Sequence, residues 1–271
     1  MAVATILTVE KKDLSMLAPE QGVLVFREIL WAEASVSGIP KSCVSVPGEI
    51  FEPDGGIDAA VTDSPWDSKQ GIMKAGLTSY QIKTGKSDLN QQAILKDILF
   101  KKKNEKKKSN ELKPEVKKCL DIGGTFTVVH FGWDGPGVKV NKAIAAIKKL
   151  LTAVDKKYKN ACIVIAAQNQ IIGLLSSYPS LALRVNGKAE ARFRTHLGWS
   201  SEAEMKRPFM PASDLPAKMA TMQAELRNND RPVHIHVVGE PGVEKTRLVL
   251  EATKQDDLRP LVIYCDGQTK Y

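Results

Sequence analysis

The chain is short of the features that would place it in several broad classes. Its four cysteines, Cys43, Cys119, Cys162 and Cys265, stand singly, with no C-x-x-C spacing, and the four histidines are scattered. A disulfide-stapled scaffold and a zinc ribbon are thereby excluded, and lone cysteines with mostly apolar flanks point to a reducing compartment. No segment approaches the ~18 consecutive apolar residues of a membrane helix. Glu10-Lys11-Lys12-Asp13 interrupts any apolar run near the start, so no secretory signal pattern is present. There is no internal repeat, and acids are outnumbered, 31 against 39 lysines and arginines. The expectation is a soluble, cytoplasmic protein without membrane partners. Its net charge of +8 favours anionic partners, nucleic acid first.

What is present is concentrated between Gly55 and Gly85. Gly55-Gly56-Ile57-Asp58-Ala59-Ala60-Val61 is followed by a polar excursion and then by Thr78-Ser79-Tyr80-Gln81-Ile82-Lys83-Thr84-Gly85. Both apolar runs read as strands, and each carries polar residues where a buried strand prefers apolar ones. Gln81 and Lys83 are two apart, so they share a face. A carboxylate, an amide and an ammonium brought together inside a sheet must satisfy one another or bind something. A carboxylate with neighbouring oxygens suits a partly hydrated Mg²⁺. A lysine beside it can hold an attacking water or offset charge on a phosphate, which describes metal-assisted phosphodiester hydrolysis.

These residues resemble the Mrr-like variant of the PD-(D/E)xK nucleases, in which an Asp is followed after a gap by Gln-x-Lys. The resemblance implies that Asp58, Gln81 and the Ile82 carbonyl hold Mg²⁺ or Mn²⁺, and that Lys83 assists water in cutting double-stranded DNA. It also implies a leading helix that contributes a glutamate. Gln21 to Ala34 is that helix, with Phe26, Ile29 and Leu30 on one face. Glu28 and Glu33 are its candidates, and Glu28 is preferred for its place beside the Phe26 position. The alternative for either is a solvated helix charge.

Further along, the long connection from Thr62 to Gly76 suggests a substrate-facing loop. Trp66 within it is read as packing the loop rather than stacking on a base. After a helix over Ser87 to Phe100, residues 101–118 hold nine lysines and three glutamates, a net +6. Lys101, Lys102, Lys103, Lys106, Lys107 and Lys108 are the expected contacts to DNA phosphates, sequence-independent because no aromatics are interleaved. A strand over Gly123 to Gly132, a helix over Lys142 to Val154 and strands over Cys162 to Ala166 and Asn169 to Leu175 complete the core. The fold class is therefore α/β, a restriction-endonuclease-like mixed sheet flanked by helices, covering 1–187. A linker with a helix over Leu215 to Leu226 is expected over 188–229.

Residues 230–271 carry a second motif. A strand over Arg231 to Val238 leads into Gly239-Glu240-Pro241-Gly242-Val243-Glu244-Lys245-Thr246, then an apolar helix and a further strand over Arg259 to Asp266. Strand, Gly-rich loop ending in Lys-Thr, and helix make a phosphate cradle. The stretch resembles the first β-P-loop-α-β unit of STAND-type P-loop NTPases. Gly239, Gly242, Lys245 and Thr246 are then the nucleotide-binding residues, with ATP as ligand. Glu244 stands where that family has Gly, crowding the loop and adding like charge, which argues against nucleotide binding. No Walker B acid follows, so a fragment of a longer protein or a decayed copy is expected. The combination resembles bacterial antiviral STAND proteins, which implies oligomerisation of the full-length protein upon sensing a phage component through a further domain. The alternative is a non-catalytic nucleic-acid-binding and oligomerisation module with an inert P-loop.

Overall fold

In a computed structural model, the described residues are 6–46, 56–85, 89, 98–99, 111–188, 193–228, 233–240 and 245–265. They form two compact units, Val9–Ser176 and a second made of Met1–Thr8 with Ser177–Tyr271.

The first unit is a five-stranded mixed sheet between helices, an α/β architecture as expected. Its strands are β1 (Val44–Ser45), β2 (Ala59–Ser64), β3 (Gly76–Lys83), β4 (Thr125–His130) and β5 (Cys162–Ala166), lying in sequence order across the sheet. β1, β2 and β3 pair antiparallel; β3, β4 and β5 pair parallel. Its helices are α1 (Lys11–Ser15), α2 (Pro19–Ser37), α3 (Pro114–Asp121), α4 (Gly137–Val154) and α5 (Gln168–Ser176).

Each helix lies where its apolar stripe is needed. α2 begins with Pro19 at its first turn, where a missing N–H costs nothing. It stops at Gly38, whose φ of 69° requires the left-handed region that glycine enters freely. Phe26, Ile29 and Leu30 are fully buried, each removing apolar surface worth ~1.5–3 kcal/mol. Phe26 meets Tyr80 of β3 edge-on, ring centroids 5.1 Å apart. α3 and α4 cover the opposite face of the sheet. There Val116, Leu120, Ile147 and Leu151 pack with Phe126 and Val128 of β4 and Ile163 and Ile165 of β5.

One expected strand is a helix. Asn169–Leu175 lies within α5, and Gln168 Nε2 at its start donates to the Lys11 carbonyl at 2.8 Å. Ile171, Leu174 and Leu175 are buried, a spacing of three and four that a short apolar run can satisfy as helix or strand. The lysines from 101 to 108 lie outside the described residues, as does all of the helix expected over Ser87 to Phe100 except 89 and 98–99, where Leu99 forms an isolated antiparallel bridge with Leu112.

The second unit holds α6 (Pro179–Val185), β6 (Phe193–Arg194), α7 (His196–Ser200), α8 (Leu215–Arg227), α9 (Lys245–Ala252) and β7 (Tyr264–Cys265). α8 matches the helix expected over Leu215 to Leu226. The strand expected up to Val238 is not formed: residues 233–240 carry no strand, and Val238 is 90% exposed. β7 pairs antiparallel with β6, Phe193 opposite Cys265, rather than beside that segment. A strand persists only where a neighbour takes its N–H and C=O groups. Here the only strand pair among the second unit's described residues uses other partners.

Candidate active site

β2 and β3 bring the first constellation together. Ala59 pairs with Tyr80 in the antiparallel register, and the Asp58 N–H donates to the Tyr80 carbonyl at 2.8 Å. Asp58 therefore enters β2 beside Gln81. Gln81 Nε2 donates to Asp58 Oδ2 at 2.7 Å, and the Ile82 N–H donates to the same oxygen. Two donors on one carboxylate oxygen hold the side chain in a single orientation. Gln81 is 7% exposed, and its Oε1 is buried with no hydrogen-bond partner. A buried amide oxygen left unsatisfied costs about 1–3 kcal/mol unless something else occupies it.

The Ile82 carbonyl is aimed to the same side. Lys83 O accepts from the N–H of Phe131, just past β4, at 2.9 Å. Carbonyls alternate in direction along a strand, so the preceding carbonyl, of Ile82, turns toward the β2 edge where Asp58 stands. One carboxylate, one unpaired amide oxygen and one main-chain carbonyl are hard donors of the kind Mg²⁺ takes, and their number leaves room for waters. The donor set fits that ion. Among the described residues no group of three or more His, Cys, Asp or Glu side chains is placed to hold a metal.

Lys83 is half-buried and follows Gln81 on the same face. Sequence reasoning missed its neighbour, His130, which lies opposite Lys83 in the parallel β3–β4 register. His130 is 1% exposed, and its Nδ1 accepts from the Gly132 N–H at 3.3 Å, which places the ring proton on Nε2. The signal available was a polar residue ending an otherwise apolar strand, and only the register tells which neighbour it meets.

The two glutamates of α2 separate. Glu33 is fully buried and accepts from the Gln70 N–H at 2.5 Å. It fastens the connection between β2 and β3, on the side of the sheet where Tyr80 packs. The Tyr80 hydroxyl donates to the Ile72 carbonyl of the same connection at 3.0 Å. Burial, with a smaller contribution from the Glu33 charge, pushes the Tyr80 phenol far above its ordinary range. Glu28 is half-buried on α2, whose stripe packs through Phe26 onto Tyr80. Trp66 is half-exposed and donates from Nε1 to the Ser37 carbonyl at 2.9 Å, so it packs the connection against the end of α2.

The second motif is partly described. Gly242 and Glu244 lie outside the described residues. Lys245 opens α9 and donates from Nζ to the carbonyls of Gly239 and Glu240, at 3.0 and 2.7 Å. Thr246 is exposed on the first turn.

Comparison with protein-family models, with curated proteins and with solved structures finds no match.

Proposed function

We propose that the first unit is a metal-dependent DNA endonuclease of the Mrr-like PD-(D/E)xK kind. The observation that carries this is the unpartnered Gln81 Oε1 buried beside a carboxylate that is already locked by two donors. Asp58, Gln81 and the Ile82 carbonyl would hold one Mg²⁺. The ion would supply Lewis acidity at a phosphate oxygen and a more acidic bound water. The protein's own part is positional. Gln81 and the Ile82 amide fix the Asp58 carboxylate. Lys83, projecting from the same face, holds the attacking water and faces the charge that grows on the phosphate. The lysines from 101 to 108 hold the DNA backbone.

Nucleotide hydrolysis is no part of this function. Glu244 replaces the glycine of the loop, and Lys245 spends its donors on the loop's own carbonyls. By the resemblance to antiviral STAND proteins, the nuclease would act as an effector that oligomerisation switches on.

Plasmid nicking in Mg²⁺ or Mn²⁺ is the test. Wild type should nick and Lys83→Ala should not, while both bind DNA equally in EDTA. Nicking by Lys83→Ala at the wild-type rate removes the assignment. A second reading, a non-catalytic nucleic-acid-binding module, is favoured by Asp58 being the one carboxylate that the described contacts place at Gln81. Its outcome is DNA binding with no metal-dependent nicking by wild type.

A further inference from the structure

Charge is divided unevenly within the first unit. Residues 9–85 carry seven lysines and arginines against eleven acids, whereas 86–176 carry eighteen against eight. Part of that excess lies among the described residues. α4 bears Lys139, Lys142, Lys148 and Lys149 and no acid, and the 3₁₀ turn after it, Lys156–Asn160, adds Lys156, Lys157 and Lys159. Of these only Lys157 is in an ion pair, with Asp121 and Asp155. The lysines of the neighbouring α3 are neutralised instead, Lys117 by Asp121 and Lys118 by Glu115.

At 3.6 residues per turn, Lys139, Lys142 and Lys149 fall within an arc of about 80°, opposite Val140, Ile147 and Leu151. Those three apolar residues are buried in the core. Like charges three apart on a helix repel by a few tenths of a kcal/mol, and nothing on α4 offsets this. α4 also covers the face of the sheet to which Gln81 and Lys83 point: Gln81 is in register with Val128, which packs in the α3–α4 core. With strands ~4.8 Å apart, β5 beneath α4 lies about 10 Å from β3.

We propose that the outer face of α4, with the turn that follows it, is a docking surface for the phosphate backbone of double-stranded DNA. It deepens the nuclease function proposed above and rests on it for the choice of DNA as the polyanion. Phosphates complement an unneutralised row of ammonium groups, and binding releases the counterions that the row otherwise holds. An anionic membrane is the poorer partner. A helix that lies on lipid needs a broad free apolar face, and among the large apolar residues of α4 only Val138 is largely exposed.

The experiment is anisotropy of a labelled duplex in EDTA, titrated between about 50 and 200 mM salt. The variants are Lys142→Glu/Lys149→Glu and the milder Lys142→Gln/Lys149→Gln. The control, Lys12→Glu/Lys218→Glu, makes the same change in net charge as the Glu pair at other positions. Loss of two phosphate contacts should flatten the log–log salt slope by about 2 and weaken binding roughly 10–100-fold at 0.1 M salt. The control should keep the wild-type slope. An unchanged slope in both α4 variants overturns the proposal, as does equal loss in the control. Tighter binding to phosphatidylserine vesicles than to DNA overturns it as well. Nicking by Lys83→Ala would sink the catalytic assignment and leave the slope result standing. A wild-type slope in the α4 variants would do the reverse.

Discussion

Gln81 gives its amide N–H to Asp58 and leaves its own carbonyl oxygen buried without a partner. The two halves of one amide thus have opposite fates in the same sheet. One half orients a carboxylate; the other is an acceptor that folding has not satisfied.

Replacing Gln81 by Met should therefore separate stability from activity. The lost bond to Asp58 costs about 1–3 kcal/mol, and removal of the orphaned oxygen returns a similar amount. Urea denaturation should place the variant within about 1.5 kcal/mol of wild type, while metal-dependent nicking disappears. A large loss of stability would show that the amide is structural.

Gly22 of α2 is pressed against the end of β3. A Cβ built there lies 2.3 Å from Thr84 Cγ2, on a β-branched side chain that has little freedom to move aside. Ala gains up to about 1 kcal/mol over Gly in a helix, but overpacking costs about 1–3. Gly22→Ala should be destabilising by thermal melting, and Gly22→Ala/Thr84→Ser should recover most of the loss.

The connection between β2 and β3 is tied down by Glu33 and Tyr80. Tyr80→Phe removes the hydroxyl that meets the Ile72 carbonyl and leaves that acceptor unpaired, a cost of about 1–3 kcal/mol. Hydrogen exchange should accelerate at residues 68–75, with β4 and β5 unchanged. Uniform acceleration across the sheet would contradict this local role.

Acid should weaken the second unit. Burial lowers the pKa of His196 below its ordinary value, and the hydrogen bond to the Leu250 carbonyl opposes this in part. The unfolded chain then binds the proton first. Stability is full above about pH 6.5 and declines as pH falls toward the lowered folded value. The melting temperature should fall between pH 7 and 5, and His196→Gln should flatten that dependence.

Strands β2 to β5, the long helices α2, α4 and α8, and the proximity of Asp58 and Gln81 were legible without coordinates. Apolar periodicity sets a segment's preferred period, and a Gly-Ile-Pro or Lys-Pro boundary ends it, wherever the segment lies. Asp58 could be placed near Gln81 and Lys83 because adjacent strands carry an acid on one and two polar residues two apart on the other. The chain alone could not decide Asn169–Leu175, where seven apolar-rich residues fit either period and the hydrogen bond from Gln168 to Lys11 favours the helix. Nor could it decide the segment ending at Val238, since a strand exists only with a partner and β7 took β6 instead. Which of Glu28 and Glu33 turns into the β2–β3 connection, and that His130 stands beside Lys83, depend on helix rotation and strand register. Both are set by packing between segments far apart in the chain, where local composition carries no information.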